Sequence, residues 1–181
     1  DDLAPRFKEI PGADQHLIRG DNARPETISH VRKSGLNVIS AKKWAGSVED
    51  GIATLRSFDR IVIHPRCKHT AEEARLWSYK IDKLTGDVLP VLVQKHDHAW
   101  DAIRYALEPI VGKGVAGISV YGRQFKARTH LSPTGLWPIK GREVFVGWDL
   151  QTAPACVFVQ VTPTGQVRIL EEKVAEGLGA R

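Results

Sequence analysis

The amino-acid sequence predicts an α/β fold with a mixed β-sheet flanked by α-helices. Over residues 1–110, short apolar segments alternate with longer segments of helical periodicity. Three further strand-like segments, separated by turn signals, follow over residues 141–181. Because strands that alternate with helices form parallel pairs and strands joined by short turns form antiparallel pairs, the sheet should contain both.

Residues 1–110 contain the alternating elements. We predict strands at 15–20, 36–40 and 60–64, helices at 2–10, 25–34, 47–57, 70–80 and 98–107, and a loop or hairpin at 81–95. Pro25 stands where the first turn of a helix tolerates proline. Ser47 and Asp50 have the spacing of a helix-capping pair. In the last helix, the apolar periodicity places Asp101 and Tyr105 on one side.

The rest of the chain divides at about residue 140. Residues 111–140 hold glycines, prolines and basic residues with no sustained period, and we interpret them as a linker or arm. Beyond them, residues 144–149, 155–161 and 166–170 are predicted to form an antiparallel meander of three strands. Glu171 and Glu172 would then end a strand as a solvated edge. We expect residues 1–181 to form a single domain, whose first three sheet strands are supplied by residues 141–181.

Composition limits the functional classes. The 181 residues are 42% hydrophobic and 26% charged, which is typical of a globular domain and excludes a disordered or fibrous chain. No apolar run approaches the roughly 20 residues that span a bilayer, so we expect a soluble protein of the cytoplasm with no membrane partner. Two cysteines are too few for a disulfide scaffold. The net charge of +5 favours a polyanionic partner, and the lack of methionine suggests a fragment of a longer protein.

Three acidic residues stand where the predicted elements would bring carboxylates together. Asp149 ends one strand, Asp21 ends another, and Asp101 lies on the helix at 98–107. Such a set could hold two divalent cations about 3.5–4 Å apart, and carboxylate oxygens suit Mg²⁺ or Mn²⁺. Acids at strand ends also commonly face solvent, so the spacing alone leaves both interpretations open.

Several short motifs make the sequence resemble the nuclease domain of tailed-phage terminase large subunits. Gly147-Trp148-Asp149, followed by Pro154-Ala155, is similar to the end of that family's first strand and the start of its second. Asp21 followed by A-x-P-x-x-I, and the later S-V-x-x-G-I-x-x-L, resemble its middle portion. The H-x-x-D-A-x-R-Y motif that begins at His98 resembles its closing segment. Together these segments extend over most of the chain.

This resemblance implies a ribonuclease H-like fold and a metal-dependent endonuclease that cuts concatemeric double-stranded viral DNA during genome packaging. The family's metal-binding acids carry over to Asp149, Asp21 and Asp101, with two Mg²⁺ or Mn²⁺ ions as cofactors and Asp149 bridging both. The implied partners are double-stranded DNA, the terminase ATPase motor domain, the small terminase subunit and the portal. The phosphate-binding motif G-x-x-x-x-G-K-[ST] does not occur in the sequence, so we do not expect ATP hydrolysis by this chain.

The order of the motifs departs from that of the family. In the family the G-x-D strand comes first and H-x-x-D-A-x-R-Y comes last, whereas here residues 117–181 follow residues 1–110. Joined as 117–181 followed by 1–110, the segments would follow the family order, with a helix across the junction. We therefore interpret the order as circularly permuted, which a fold tolerates where its termini lie close together.

Other residues carry less specific signals. His98, the histidine of the closing motif, could orient a carboxylate, contact a phosphate or cap its helix. Asp97 could supply a further ligand, although a solvated acid at a helix start is the simpler interpretation. Lys42 and Lys43 are candidate contacts to a DNA backbone. Two alternatives to the terminase nuclease stay open: another ribonuclease H-like nuclease, such as a junction resolvase or transposase-like enzyme, and a catalytically silent DNA-binding or docking domain.

Overall fold

The computed structural model describes residues 3–10, 12–93, 95–111, 127–150 and 154–174. The helices are α1 (Leu3–Lys8), α2 (Pro25–Lys33), α3 (Ser47–Ser57), α4 (Lys68–Leu76), α5 (His98–Ala106) and α6 (Ala127–His130). The strands are β1 (Ile18–Gly20), β2 (Val38–Ser40), β3 (Arg60–Ile63), β4 (Tyr79–Ile81), β5 (Val88–Leu92), β6 (Phe145–Asp149), β7 (Ala155–Val161) and β8 (Gln166–Val174). Residues 112–126 of the predicted linker, and the proposed junction between residues 181 and 1, lie outside the described residues.

Six strands form one sheet in the order β2-β1-β6-β7-β8-β3, and β4 pairs with β5 in a separate hairpin. β1 runs parallel to β2 and β6, and β3 runs parallel to β8, whereas β7 is antiparallel to both β6 and β8. A mixed sheet flanked by helices confirms the predicted α/β fold, and β6–β8 confirm the predicted meander. Parallel neighbours need a crossover connection, which explains why helices separate β1, β2 and β3 along the chain.

The carboxyl ends of five strands lie at one edge of the sheet, because only β7 runs against its neighbours. We call this the carboxyl edge. Asp149 ends β6 and Asp21 directly follows β1, so both acids lie there. Ligand sites of open α/β sheets form outside the carboxyl ends of the strands. The topology therefore places two of the three predicted acids where such a fold commonly builds a site.

Each face of the sheet carries its own apolar core. Helices α3, α4 and α5 cover one side, where Leu55, Ala71 and Ile103 pack against residues of β3, β7 and β8. We call this side the α5 face. Helices α1 and α2 cover the other side, where Phe7 and Val31 contribute to a second cluster. Successive residues of a strand point to opposite faces, so the side-chain alternation of each central strand divides its residues between the two cores.

The predicted capping pair of α3 is wrong. The residue before the helix is Gly46, which has a positive φ of 84°, and Ser47 is already the first helical residue. The Asp50 carboxylate instead accepts a hydrogen bond of 2.6 Å from the indole N–H of Trp44. Because glycine reaches positive φ without strain, the chain enters α3 from a turn that a serine cap would not make.

The helix predicted at 70–80 is shorter than expected. It runs from Lys68 to Leu76 and ends where Trp77 takes an extended conformation. Lys80, predicted to be helical, lies in β4, which pairs with β5, so the hairpin predicted at 81–95 begins earlier, at Tyr79. Within the described ranges, no helix combines the length and apolarity that a membrane crossing requires.

The solvated edge predicted at Glu171 and Glu172 is wrong for Glu172. β8 continues to Val174 and lies inside the sheet, between β7 and β3. The buried Glu172 carboxylate accepts three hydrogen bonds of 2.6–2.8 Å, from the His69 N–H and from the N–H and hydroxyl of Thr70. Glu172 therefore anchors the first turn of α4, where the helix dipole favours a negative charge.

Candidate active site

Asp21 and Asp149 lie side by side at the carboxyl edge. Gly20 is paired with Trp148 across β1 and β6, and the next N–H, that of Asp21, donates to the Trp148 carbonyl at 2.8 Å. Both carboxylate residues are almost completely buried, with exposures of 0% for Asp21 and 1% for Asp149. Burying a charge costs free energy unless it is paired or hydrogen-bonded. Two such carboxylates on neighbouring strands therefore need nearby cations.

Helix α5 approaches this edge unusually closely. A Cβ added to Gly147 of β6 would lie 1.7 Å from the Ala102 carbonyl oxygen and 2.6 Å from the Ala106 nitrogen. The helix thus packs its backbone against a strand position that only glycine can occupy. As a result, His98 at the start of α5 reaches Asp149, with 2.8 Å between His98 Nδ1 and Asp149 Oδ2.

Each of the three predicted acids is balanced by a cationic side chain. Lys43, from the loop after β2, forms an ion pair with Asp21, and His98 faces Asp149. Arg104, one turn along α5, donates to Asp101 Oδ1 at 2.5 and 3.2 Å from Nη2 and Nε. These pairs offset the cost of burying the carboxylates.

The electrostatics of α5 show that the three acids share one environment. Burial raises the pKa of Tyr105, and the negative charges of Asp101, Asp21 and Asp149 all raise it further. The ammonium of Lys43 lies 5.3 Å from the centre of the Tyr105 ring, a distance typical of a cation–π contact. Tyr105 therefore lies within electrostatic reach of all three acids. For Asp101, this proximity was predicted from the i, i+4 spacing of the two residues.

Two groups of the site have pKa values above their ordinary range. Burial lowers the pKa of His98, but the hydrogen bond and charge of Asp149, together with the charges of Asp97 and Glu73, outweigh burial, and the net shift is upward. Burial raises the pKa of Asp101, and the neighbouring Arg104 only partly opposes this increase. The contact with Asp149 thus favours the protonated form of His98, and the contact with Arg104 favours the charged form of Asp101 against the effect of burial.

The described side chains do not form a ready metal cage. Among the described residues, no group of three or more His, Cys, Asp or Glu side chains is arranged to hold an ion. Asp149 and Asp21 adjoin at the ends of neighbouring strands, and Asp101 lies on α5, which packs against β6. Their role as ligands stays a prediction.

The other predicted site residues fall into two groups. Lys43 is part of the site through Asp21, whereas its neighbour Lys42 is exposed. Asp97 directly precedes α5, which fits an acid at a helix start. Contacts of Lys42 and Lys43 with DNA stay a prediction.

Three contributors were not recognised from the sequence. Arg104 belongs to the H-x-x-D-A-x-R-Y motif, but the sequence indicates no role for it. Its side chain packs against Gly51, where an added Cβ would lie 2.9 Å from Arg104 Cδ. The S-V-x-x-G-I and H-x-x-D-A-x-R-Y motifs are therefore in contact in the folded protein. Their occurrence together in the same family could have suggested this contact. Glu73 and Glu172 stabilise helix starts across the fold and carry no local signal of that role.

Comparison with known proteins identifies relatives of this chain. The family model described as Terminase RNAseH like domain matches residues 7–109, which is more than half of the 181 residues. This match includes Asp21 and Asp101, whereas Asp149 lies outside it.

Two curated proteins are similar over a comparable length. The terminase large subunit of Bacillus phage SPP1 is 40% identical over 108 residues, covering 58% of this chain and 25% of the relative. The PBSX phage terminase large subunit of Bacillus subtilis (strain 168) is 30% identical over 94 residues, covering 52% of this chain and 22% of the relative. The match thus spans about a quarter of each relative. No solved structure matches the chain.

These matches agree with the fold, in which a mixed six-stranded sheet is flanked by helices. The resemblance seen in the sequence motifs and the fold it implied are both confirmed. The chain therefore belongs to the terminase RNase H-like domain family.

Proposed function

We propose that this chain is a divalent-metal-dependent endonuclease that cleaves double-stranded DNA during phage genome packaging. The observation that carries the proposal is the pair of buried carboxylates, Asp21 and Asp149, at adjoining strand ends beneath α5. A fold that only needed stability would gain little from buried acids, because replacing a buried ion pair with apolar side chains is often neutral or stabilising. Charged groups concentrated at a ligand-binding edge are typical of functional sites.

The donor chemistry fits a hard divalent cation. Asp149, Asp21 and Asp101 offer carboxylate oxygens, which Mg²⁺ and Mn²⁺ prefer. We propose that Asp149, Asp21 and Asp101 would together hold two such ions. Bound in this way, two ions would activate water and stabilise the leaving oxygen of a phosphodiester. Lys43 and Arg104 each pair with Oδ1 of one of these carboxylates, so a metal ion would compete with them for that oxygen or bind through the other.

The remaining residues of the site would act through the acids or on DNA. His98 orients the Asp149 carboxylate through their 2.8 Å contact, and Arg104 holds the Asp101 carboxylate. Lys42 and Lys43 would neutralise backbone phosphates, which gives affinity without sequence preference. Such binding suits an enzyme that must cut packaged DNA of any sequence. The ATPase motor domain, the small terminase subunit and the portal are the proposed protein partners.

Plasmid cleavage tests this function. Linear and supercoiled plasmids are incubated with the chain in Mn²⁺, Mg²⁺ or EDTA, alongside Asp149→Ala and the exposed-acid control Asp14→Ala. We expect metal-dependent cleavage that Asp149→Ala abolishes and Asp14→Ala retains. Cleavage that persists in EDTA, or in Asp149→Ala, would refute the assignment of the site.

A catalytically silent DNA-binding or docking domain is the second candidate. Two observations favour it. The three carboxylates are paired with basic side chains of the protein, and no group of metal-binding side chains is found among the described residues. Calorimetric titration with Mn²⁺ separates the two functions. A nuclease site should bind Mn²⁺ and lose this binding in Asp149→Ala, whereas a docking domain should bind DNA with no Mn²⁺ binding at these residues.

A further inference from the structure

Glu73 of α4 reaches across to the start of α5. Its Oε2 accepts a hydrogen bond of 2.8 Å from the N–H of Ala99, the second residue of α5. The residue that precedes α5, Asp97, makes no side-chain capping hydrogen bond in the described structure. A carboxylate from a different helix therefore takes the place of the local cap that helices commonly have.

Helix α4, which carries Glu73, is attached to the rest of the fold at both of its ends. The three hydrogen bonds of Glu172 attach the first turn of α4 to β8. At the other end of α4, Trp77 stacks on Trp100 of α5, with ring centres 5.9 Å apart. The contacts of α4 thus converge on the first turn of α5, which also carries His98 and Asp101.

The Glu73 carboxylate is partly buried and is stabilised by its hydrogen bond to α5. Burial raises the pKa of Glu73 to about 7, although the hydrogen bond from Ala99 and the nearby His98 both lower it. Partial burial of a carboxylate is unfavourable unless its hydrogen bonds compensate. The Ala99 N–H supplies that compensation only while α5 keeps its present position.

We propose that Glu73 is a positioning residue of the site, which fixes the first turn of α5 and with it the placement of His98 against Asp149 and of Asp101 on the same turn. Its effect on metal binding rests on the proposed nuclease function, whereas its effect on the position of α5 does not. Glu73 would touch neither metal nor DNA. It is comparable to the outer residues of metal sites, which orient the ligands and whose loss typically weakens metal affinity.

The test compares Glu73→Ala, which removes the acceptor, with Glu73→Gln, which keeps an acceptor oxygen but removes the charge. Glu72→Ala is the matched control, because Glu72 is the exposed neighbour on the same helix. The first measurement is amide hydrogen exchange at Ala99 and Trp100 without metal. We expect exchange about fivefold faster in Glu73→Ala, as the loss of one hydrogen bond implies, with near-normal exchange in Glu73→Gln and in Glu72→Ala.

The second measurement is Mn²⁺ affinity by calorimetry on the same 181-residue chains. We expect affinity to fall by about tenfold or more in Glu73→Ala, with most of it restored in Glu73→Gln and no change in Glu72→Ala. Unchanged exchange and unchanged affinity in Glu73→Ala would overturn the proposal, as would an equal loss in Glu72→Ala. If Glu73→Ala does not fold, Glu73→Gln decides, since a loss of protection at Ala99 despite its acceptor would contradict positioning by the hydrogen bond.

The two proposals fail in different ways. If the unmutated chain binds no Mn²⁺, the metal-dependent nuclease is refuted, while the exchange measurement still decides whether Glu73 positions α5. If the unmutated chain binds Mn²⁺ and Glu73→Ala matches it in both Mn²⁺ affinity and amide exchange, the nuclease stands and the role of Glu73 is refuted.

Discussion

A Cβ added to Gly147 would lie 1.7 Å from the carbonyl oxygen of Ala102. This single relationship sets the distance between β6, which ends in Asp149, and α5, which carries His98 and Asp101. The three alanines of α5 that face the sheet, Ala99, Ala102 and Ala106, are fully buried, so small residues on both sides make the contact. Backbone packing at this point brings His98, at the start of α5, to Asp149 at the end of β6.

Gly147→Ala should therefore destabilise the protein and separate α5 from the carboxyl edge. The clash is with backbone, which cannot move aside as a side chain would, so we expect a loss of about 3 kcal/mol or more in the free energy of unfolding. Urea denaturation measures it. Gly20→Ala on the neighbouring strand is the control, because its Cβ would come no closer than 3.3 Å to a side-chain atom. Equal, small losses in both variants would show that the close packing is not as described.

Lys43→Met should weaken the metal-free protein and enhance its response to metal. Without the ammonium, the buried Asp21 loses a cationic partner, and we expect the free energy of unfolding to fall by about 1–3 kcal/mol. Because Mn²⁺ would no longer compete with Lys43, it should raise the melting temperature more in this variant than in the unmutated protein. Thermal unfolding with and without Mn²⁺ measures both effects, and the exposed neighbour provides the control Lys42→Met. A smaller Mn²⁺ response in Lys43→Met would contradict the competition.

The stability of the protein should fall between pH 5 and pH 7 through Glu73. Its folded pKa of about 7 lies above the ordinary value of 4.5, so the folded state binds more protons in this window. The stabilisation is complete below the unfolded pKa and is lost as pH rises through the folded one. One proton gives a slope of at most about 1.4 kcal/mol per pH unit, reduced here because the side chain is partly solvated.

Urea denaturation at pH 5, 6 and 7 measures this dependence, and the comparison with Glu73→Gln isolates it. His98 and Asp97 face Glu73 and remain in both proteins, so their titration largely cancels in the difference. The variant should show a flatter pH profile. Identical profiles would mean that Glu73 does not titrate in this window.

Both cysteines should resist thiol reagents while the protein is folded. Cys67 and Cys156 are free and buried, and burial raises the pKa of each thiol. The thiolate is the reactive form, so labelling with a chromogenic disulfide should be slow in buffer and rapid for two thiols in denaturant. Fast labelling of one thiol in buffer would show that its side of the sheet opens readily; Cys67→Ser and Cys156→Ser identify which one.

The local pattern of the sequence determined most of the elements and the identity of the candidate acids. Apolar alternation and helical periodicity depend on neighbouring residues, so the strands before Asp21 and up to Asp149, and the helix with Asp101, could be located without any long-range contact. The motif residues indicated the family for the same reason, since they are contiguous in the chain.

Only the tertiary structure decided which acids are buried and which side chains contact them. The pairing of β8 between β7 and β3 buried Glu172, which its place at a predicted strand end had suggested to be solvated. The contacts of Lys43 with Asp21 and of Glu73 with Ala99 join residues 22 and 26 positions apart. Such contacts depend on how helices dock on the sheet, and no periodicity records that docking. The role of Gly147 could not be predicted from the sequence either, because a glycine can occur in a strand for many reasons. Only the packing of α5 against β6 showed that this glycine sets the geometry of the site.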